Sequence, residues 1–298
     1  MQPINDREFA QFQRFIYDAA GITLTSAKKA LVSGRLSKRV QARGVASYGE
    51  YFSLLQSDGG TAEMQIAIDL LTTNETYFFR EPRHFDVLRR VATAPGPDGR
   101  RSQQTFRVWS AASSTGEEAY TAAMVLTDCL SGPPRGAGAA GLLPPEGASP
   151  ALGRPGGGGG RPFEIIGTDI STRVVERART GHYSEQRARQ MPDEYRKRYC
   201  LKGTGAHAGT LLVDRAVRAR VSFLHANLNA PLPDLGRFDV IFLRNVMIYF
   251  NGDTKRQVVE RVLGLLKPGG HLFIGHSESL HGVTTAVASV MPSVYRKP

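Results

Sequence analysis

From Thr105 onward, short runs of β-forming apolar residues alternate with helical segments, and this alternation restricts the chain to an α/β fold with a mostly parallel sheet and helices on both faces. The runs are FRVWSA (106–111), FEIIGT (163–168), RVSFLH (220–225), FDVIFL (238–243) and HLFIGH (271–276). Helical segments at 116–130, 171–180 and 253–266 separate several of them. A last run, SVYRK (293–297), is expected as an antiparallel edge strand. Two segments break the alternation. Residues 131–161 are dominated by Gly, Ala and Pro and end in polyglycine, a composition that buries too little apolar surface to offset ordering entropy, so a flexible insert is expected there. In 193–222 a polar helix leads to glycines alternating with strand-like pieces, which predicts a small β-subdomain between sheet strands.

The first 90 residues have a helical period instead. Phe9, Phe12, Ile16 and Ala19 fall on one helix face. A turn at Gly21 follows, and Ser26 is placed to cap a second helix running to about Arg43. Further helices are expected over 47–56 and 61–71. In the second helix Lys28, Arg35, Arg39 and Arg43 make a basic stripe beside Val32, Leu36 and Val40. No acid occurs between Asp18 and Glu50, so the stripe has no neutralising neighbours in sequence. It reads as a solvated face or as a contact surface.

The formal charge of +11 and pI near 9.9 suit two partner classes, nucleic acid or an acidic protein surface such as a helix lined with glutamates. Charge does not choose between them. At 41% hydrophobic residues the chain can build a core, yet no apolar run approaches the roughly 20 residues that span a bilayer. The N-terminus lacks a signal-peptide core, so a cytoplasmic protein without membrane insertion is expected. Cys129 and Cys200 are expected as reduced thiols, and neither they nor the seven histidines show ligand spacing, so no metal site is expected.

In open α/β sheets the ligand sits beyond the carboxyl ends of the strands, where strand order reverses. After the first strand comes ASSTGEE (112–118), small residues opening a helix. Asp169 follows the second, placed for a ribose diol; Asn227 and Leu228 follow the third; Arg244 and Asn245 follow the fourth. A dinucleotide site would want G-x-G-x-x-G in the first turn, so that backbone approaches a pyrophosphate. Here Gly116 stands alone before Glu117 and Glu118. Two carboxylates at a helix N-terminus repel a pyrophosphate and suit a cationic amino-acid end. The pattern argues against NAD and nucleotide polyphosphates and favours S-adenosylmethionine.

TTNETYFFRE (72–81), RVWSAASSTGEEAY (107–120), IIGTDIS (165–171), FLRNVMIYF (242–250) and LKPGGHLFIGHSES (266–279) together resemble the chemotaxis receptor methyltransferases, the CheR family. The blocks occur in the family's order and cover nearly the whole chain apart from the Gly/Pro insert. LKPGG alone is common among methyltransferases, whereas NETYFFRE, STGEE and RNVMIYF in combination are specific. The resemblance implies a Rossmann-like class I methyltransferase domain over 91–298 with a small antiparallel β-subdomain, preceded by an all-α N-terminal domain and junction over 1–90. It implies S-adenosylmethionine as cofactor, with S-adenosylhomocysteine as product, held by Asn74, Thr76, Arg80, Glu118, Asp169, Asn227, Leu228, Arg244 and Asn245. The implied activity is esterification of glutamates on methyl-accepting chemotaxis receptors by a monomeric enzyme.

A glutamate is already ionised near neutral pH, so no strong general base is required. Catalysis then rests on proximity and orientation, with desolvation second. Arg80 and Tyr249 are the candidates to orient the carboxylate; the alternatives are a purely cofactor role for Arg80 and a structural hydroxyl for Tyr249. His84, His276 and His281 have no obligatory task. Arg35, Arg39 and Arg43 are candidates for meeting the receptor. Gly203, Gly205 and Gly209 in KGTGAHAG match a longer β-loop that, in the family, docks the receptor's C-terminal tail, or they make a hairpin turn; Leu212 stands where an arginine is expected. A nucleic-acid base methyltransferase would usually show an aromatic–proline tetrad after the fourth strand, and RNVMIY has no proline. A scaffold that had lost its cofactor is opposed by the intact cofactor positions.

Overall fold

A computed structural model describes residues 3–57, 59–95, 102–130 and 161–298. The expected insert at 131–161 thus lies outside the described residues except for Arg161.

Helix α1 (Asp6–Ala20) opens on a capping box, Asn5 and Glu8 each accepting the other's backbone N–H at 2.9 Å. It closes on Gly21 in the left-handed region at φ 71°, where a Cβ would stand 2.6 Å from Thr254 Cγ2. Ser26 caps nothing: residues Ser26–Lys28 form a 3-10 turn that leads into α2 (Lys29–Ala42). Helices α3 (Tyr48–Leu55) and α4 (Thr61–Leu71) complete a bundle around Phe12, Ile16, Leu36, Val40 and Tyr51.

The basic stripe of α2 is largely partnered, by groups that sequence neighbours could not reveal. Glu63 of α4, only 5% exposed, accepts two hydrogen bonds from Arg39 at 2.8 and 2.5 Å and one from the Tyr51 hydroxyl, with Arg43 3.8 Å away. The Arg39 bonds hold the Glu63 carboxyl below its ordinary range. Arg35 donates to the carbonyls of Leu71 and Thr72 and to Thr73 Oγ1. It fixes the exit of α4 toward the second domain.

Helix α5 (Arg83–Thr93) crosses the expected boundary at residue 90 and packs through Phe85 and Leu88 into the core of the sheet domain. The seven-stranded sheet has the order β6-β2-β1-β7-β8-β10-β9. Its parallel strands are β1 (Phe106–Ser110), β2 (Phe163–Asp169), β6 (Val221–His225), β7 (Phe238–Leu243) and β8 (Leu266–Ile274). Strand order reverses at β1, between β2 and β7. Helices α6 (Glu117–Leu130) and α7 (Thr172–Thr180) pack on one face, and α10 (Gly252–Gly264) belongs to the core on the other. The run at 293–297 forms β10 (Val294–Arg296), antiparallel to β8 but not an edge, because β9 (Ala288–Met291) pairs outside it.

The β-subdomain begins earlier than 193 and ends before 222. Strands β3 (His182–Ser184) and β4 (Cys200–Lys202) flank a central β5 (Thr210–Val213), all antiparallel, with α8 (Asp193–Tyr199) leading into β4. Its last strand is followed by the short α9 (Arg215–Arg218) and by β6, which rejoins the main sheet.

The two domains are joined by polar capping. Asp69 of α4 accepts from the backbone N–H groups of Thr172 and Arg173 at 3.1 and 3.3 Å and from the Thr172 hydroxyl at 3.0 Å. The helical domain therefore supplies the N-cap of α7, whose own Ser171 makes no side-chain cap bond. Gln65 donates to Ile170 O, and Thr23 N to Tyr249 O. Asp69→Ala is expected to cost about 2 kcal/mol in urea unfolding, the upper range for loss of a helix cap. A loss below about 0.5 kcal/mol would mean that solvent replaces the cap.

Candidate active site

A pocket opens beyond the carboxyl ends of β1, β2, β6 and β7, at the reversal of strand order. Its wall includes Asn74, Thr76, Arg80, Glu118, Asp169, Asn227, Leu228, Arg244, Asn245 and Tyr249. All nine cofactor candidates and the tyrosine are thus brought together. Ala20 and Ile22 close one side, so the helical domain supplies part of the wall.

The first turn reaches the pocket through Ser114, whose backbone at φ 49° is left-handed and whose hydroxyl donates to Asn74 O at 2.9 Å. That bond ties the junction segment to the sheet. Of the two acids opening α6, one faces the pocket. Glu118 accepts from Ser110 Oγ at 2.7 Å and from Arg244 Nη1 at 2.8 Å. Glu117 is turned away and fully buried, held by Arg187 Nε at 2.6 Å and Thr115 Oγ1 at 2.7 Å. The expectation of two carboxylates at the ligand fails because Arg187, in the subdomain, neutralises the first.

Arg244 ends β7 as a side chain 1% exposed. Besides Glu118, it lies 3.1 Å from Glu81 Oε2 and donates to Arg80 O. The rings of Phe85 and Phe242 lie 5.8 and 5.9 Å from its Cζ. Burial alone would raise the Glu81 carboxyl, but Arg244, the His276 N–H and Asn245 outweigh it and hold the group below its ordinary range. Asn245, at φ 56°, donates Nδ2–H to Glu81 Oε1 at 3.3 Å, while its backbone N–H goes to Glu278 Oε2 at 2.9 Å. Glu278 also receives the Gly275 N–H at 2.6 Å, a supporting role that the HSES stretch alone did not reveal. Left-handed backbone at Glu81, Ser114 and Asn245 places unusual conformations at the pocket and directly behind it.

Asp169 closes the opposite wall, 7% exposed, accepting from Ser114 N at 2.9 Å and Ser171 N at 3.0 Å. Burial pushes its carboxyl up to about 6 against the opposing pull of those two amides. Asn227 lines the pocket, but its amide is engaged in the domain seam: Nδ2 donates to Ala19 O at 2.6 Å and Oδ1 accepts from Asn229 N at 2.9 Å. Arg80 donates to Glu75 O at 2.9 Å and lies over the Tyr77 ring.

Arg35, Arg39 and Arg43 lie outside the pocket, as do the three subdomain glycines. A Cβ at Gly203 would stand 2.0 Å from His207 O, and Gly205 and Gly209 have φ of 56° and 77°. The β4–β5 turn therefore accounts for all three glycines.

The chain matches the model of the CheR methyltransferase SAM-binding domain over residues 74–135 and 157–295, and that of the CheR all-alpha domain over 7–72. It belongs to the CheR methyltransferase family, and its cofactor is S-adenosylmethionine. A chemotaxis protein methyltransferase of Klebsiella aerogenes is 38% identical over 286 residues, covering 95% of this chain and 86% of that one. One from Escherichia coli is 38% identical over 277 residues, covering 93% and 85%. Chemotaxis protein methyltransferase 2 of Pseudomonas aeruginosa is 38% identical over 292 residues, covering 97% and 92%. Among the described residues of this CheR-family chain, no helix is long and apolar enough to cross a membrane.

Behind the pocket of this methyltransferase the structure assembles a cluster that sequence spacing had argued against. Glu81, His84 and His276 bring one potential ligand atom each to within 4.8 Å of one another. The first two share one turn, and His276 arrives only because β8 ends beside them, a convergence that sequence spacing did not show.

Proposed function

We propose that this chain transfers the methyl group of S-adenosylmethionine to glutamate side chains of bacterial chemoreceptors, giving methyl esters that serve sensory adaptation. The observation that carries the reading is the pocket at the strand reversal, with carboxylates Asp169 and Glu118 on its walls and Arg80 and Tyr249 beside them. Asp169 accepts hydrogen bonds from the ribose hydroxyls through the lone pairs that its two amide donors leave available. Glu118, bonded to Arg244 at 2.8 Å, faces the cationic end of the cofactor's amino-acid tail. Asn74 and Thr76, on the segment tied to Ser114, close over the cofactor. Arg80 and Tyr249 orient the incoming carboxylate.

In the transfer, a carboxylate oxygen forms a bond to the methyl carbon while the carbon–sulfur bond breaks. The electron pair stays on sulfur, S-adenosylhomocysteine leaves neutral at that atom, and no proton moves. A general base has no task in this step, which agrees with a wall that holds no histidine. The work left to the protein is alignment and exclusion of water.

The relatives' names point to chemotaxis proteins, and an acidic receptor surface suits the chain's excess of cations. With Arg35 and Arg39 held internally, contact with that surface falls to the exposed Lys28, Lys38 and Arg43. Strand β4 borders only β5 in its sheet, so its other edge offers strand addition to a receptor tail; Leu201 there is 56% exposed.

Two measurements test the reading. Mass spectrometry of receptors incubated with enzyme and cofactor is expected to find methyl esters on glutamates, and Lys28→Ala/Arg43→Ala to raise the receptor KM and flatten its salt dependence without changing cofactor affinity. Methylated nucleic acid in place of esters would overturn it. Calorimetric titration with S-adenosylmethionine tests the Asp169 assignment. Its protonated form, dominant below pH 6, offers the ribose fewer acceptor sites. Affinity is therefore expected to fall about tenfold from pH 7 to pH 5, and Asp169→Asn to be weak and pH-independent over this range. A wild-type profile unchanged by Asp169→Asn would refute that role.

A further inference from the structure

His84 is buried at 1% exposure, yet its Nδ1 has no hydrogen-bond partner. Its tautomer follows from its other neighbour. Ser293 Oγ lies 2.6 Å from Pro292 O and 2.8 Å from His84 Nε2; when its single proton goes to Pro292 O, the bond to His84 carries its proton on Nε2. Nδ1 is then a bare lone pair. Facing Nδ1 at 3.4 Å is Glu81 Oε2, a carboxylate oxygen that accepts no hydrogen bond although Arg244 stands 3.1 Å away. Two buried acceptors thus face each other with nothing to donate between them, an arrangement that desolvation makes costly.

The third group supplies the rest of a coordination sphere. His276 Nε2 lies 3.7 Å from the same Glu81 oxygen, on a side chain 53% exposed and able to adjust. Ligand atoms held 2.0–2.1 Å from a tetrahedral centre stand about 3.3 Å apart, close to the 3.4 and 3.7 Å found here. The Ser293 bond to His84 Nε2 orients the ring as an outer-shell partner does in metal sites. Arg244 does not bar a cation, because its guanidinium is shared between two carboxylates, Glu81 and Glu118.

We propose that Glu81 Oε2, His84 Nδ1 and His276 Nε2 form a binding site for a divalent transition-metal ion behind the cofactor pocket, with a fourth position open beside His276. Two imidazoles and one carboxylate select zinc or a similar borderline ion over magnesium or calcium. The site is independent of what the pocket methylates, because none of its three residues is on the pocket wall.

The test uses the full chain stripped with chelator and titrated with zinc chloride, with cobalt(II) as spectroscopic probe. One equivalent of zinc is expected to bind with Kd of about 10 µM or tighter, and cobalt to give the visible absorption of a low-coordinate site. His276→Ala, a change at an exposed ring, is expected to weaken zinc binding at least about tenfold while circular dichroism stays native. His207→Ala controls for the surface pair His182 and His207, whose rings lie 5.7 Å apart, and should leave the tight site intact. Absence of binding tighter than about 100 µM, or binding that His276→Ala leaves unchanged, overturns the site and assigns the two acceptors to a bridging water.

Discussion

The pocket depends on one buried cation. Arg244 sits at the end of β7 with almost no solvent contact; it donates to Glu118 at the start of α6 and to the carbonyl of Arg80, and it forms an ion pair with Glu81 at 3.1 Å. A guanidinium presents its donors in a fixed plane, so this residue sets the separation of two chain segments that no sheet ladder connects. Such a buried network contributes little net stability, but removing one member leaves an unpaired charge in the interior. Its value lies in fixing geometry, and the left-handed backbone of Glu81 and Asn245 is part of what holds it.

The other side of the pocket is set by the domain seam. Asp69 caps α7, the Asn227 amide holds the end of α1, and Thr23 bonds to Tyr249 O. Because Ala20 and Ile22 line the same cavity, a shift of the helical domain would reshape the wall that carries Tyr249. The pocket wall draws on both domains, and the polar contacts between them set their register.

Much of this was legible in the sequence because strand period and strand-end chemistry are local. The five parallel strands, and the polar residues that follow four of them, could be read directly, and those residues converge on one pocket. What escaped were pairings across long separations. Glu63 neutralises Arg39 from another helix, Arg187 takes Glu117 away from the ligand, and His276 meets His84 only in the folded chain. The subdomain start was missed because His182–Ser184 is too short to show a period, and the outer edge because Ala288–Met291 is largely exposed and carries no core-facing pattern. Helix α5 was not singled out in the sequence, and its apolar face packs into the core of the sheet domain.

Glu81, although absent from the pocket wall, reaches the cofactor site through Arg244. A double-mutant cycle of Glu81→Gln and Arg244→Met, read by calorimetric titration with S-adenosylmethionine, tests this link most directly. The expected result is weaker cofactor binding in Glu81→Gln alone and a coupling energy of at least about 1 kcal/mol between the two changes. Unchanged affinity in Glu81→Gln, or effects that add to within about 0.5 kcal/mol, would contradict the account.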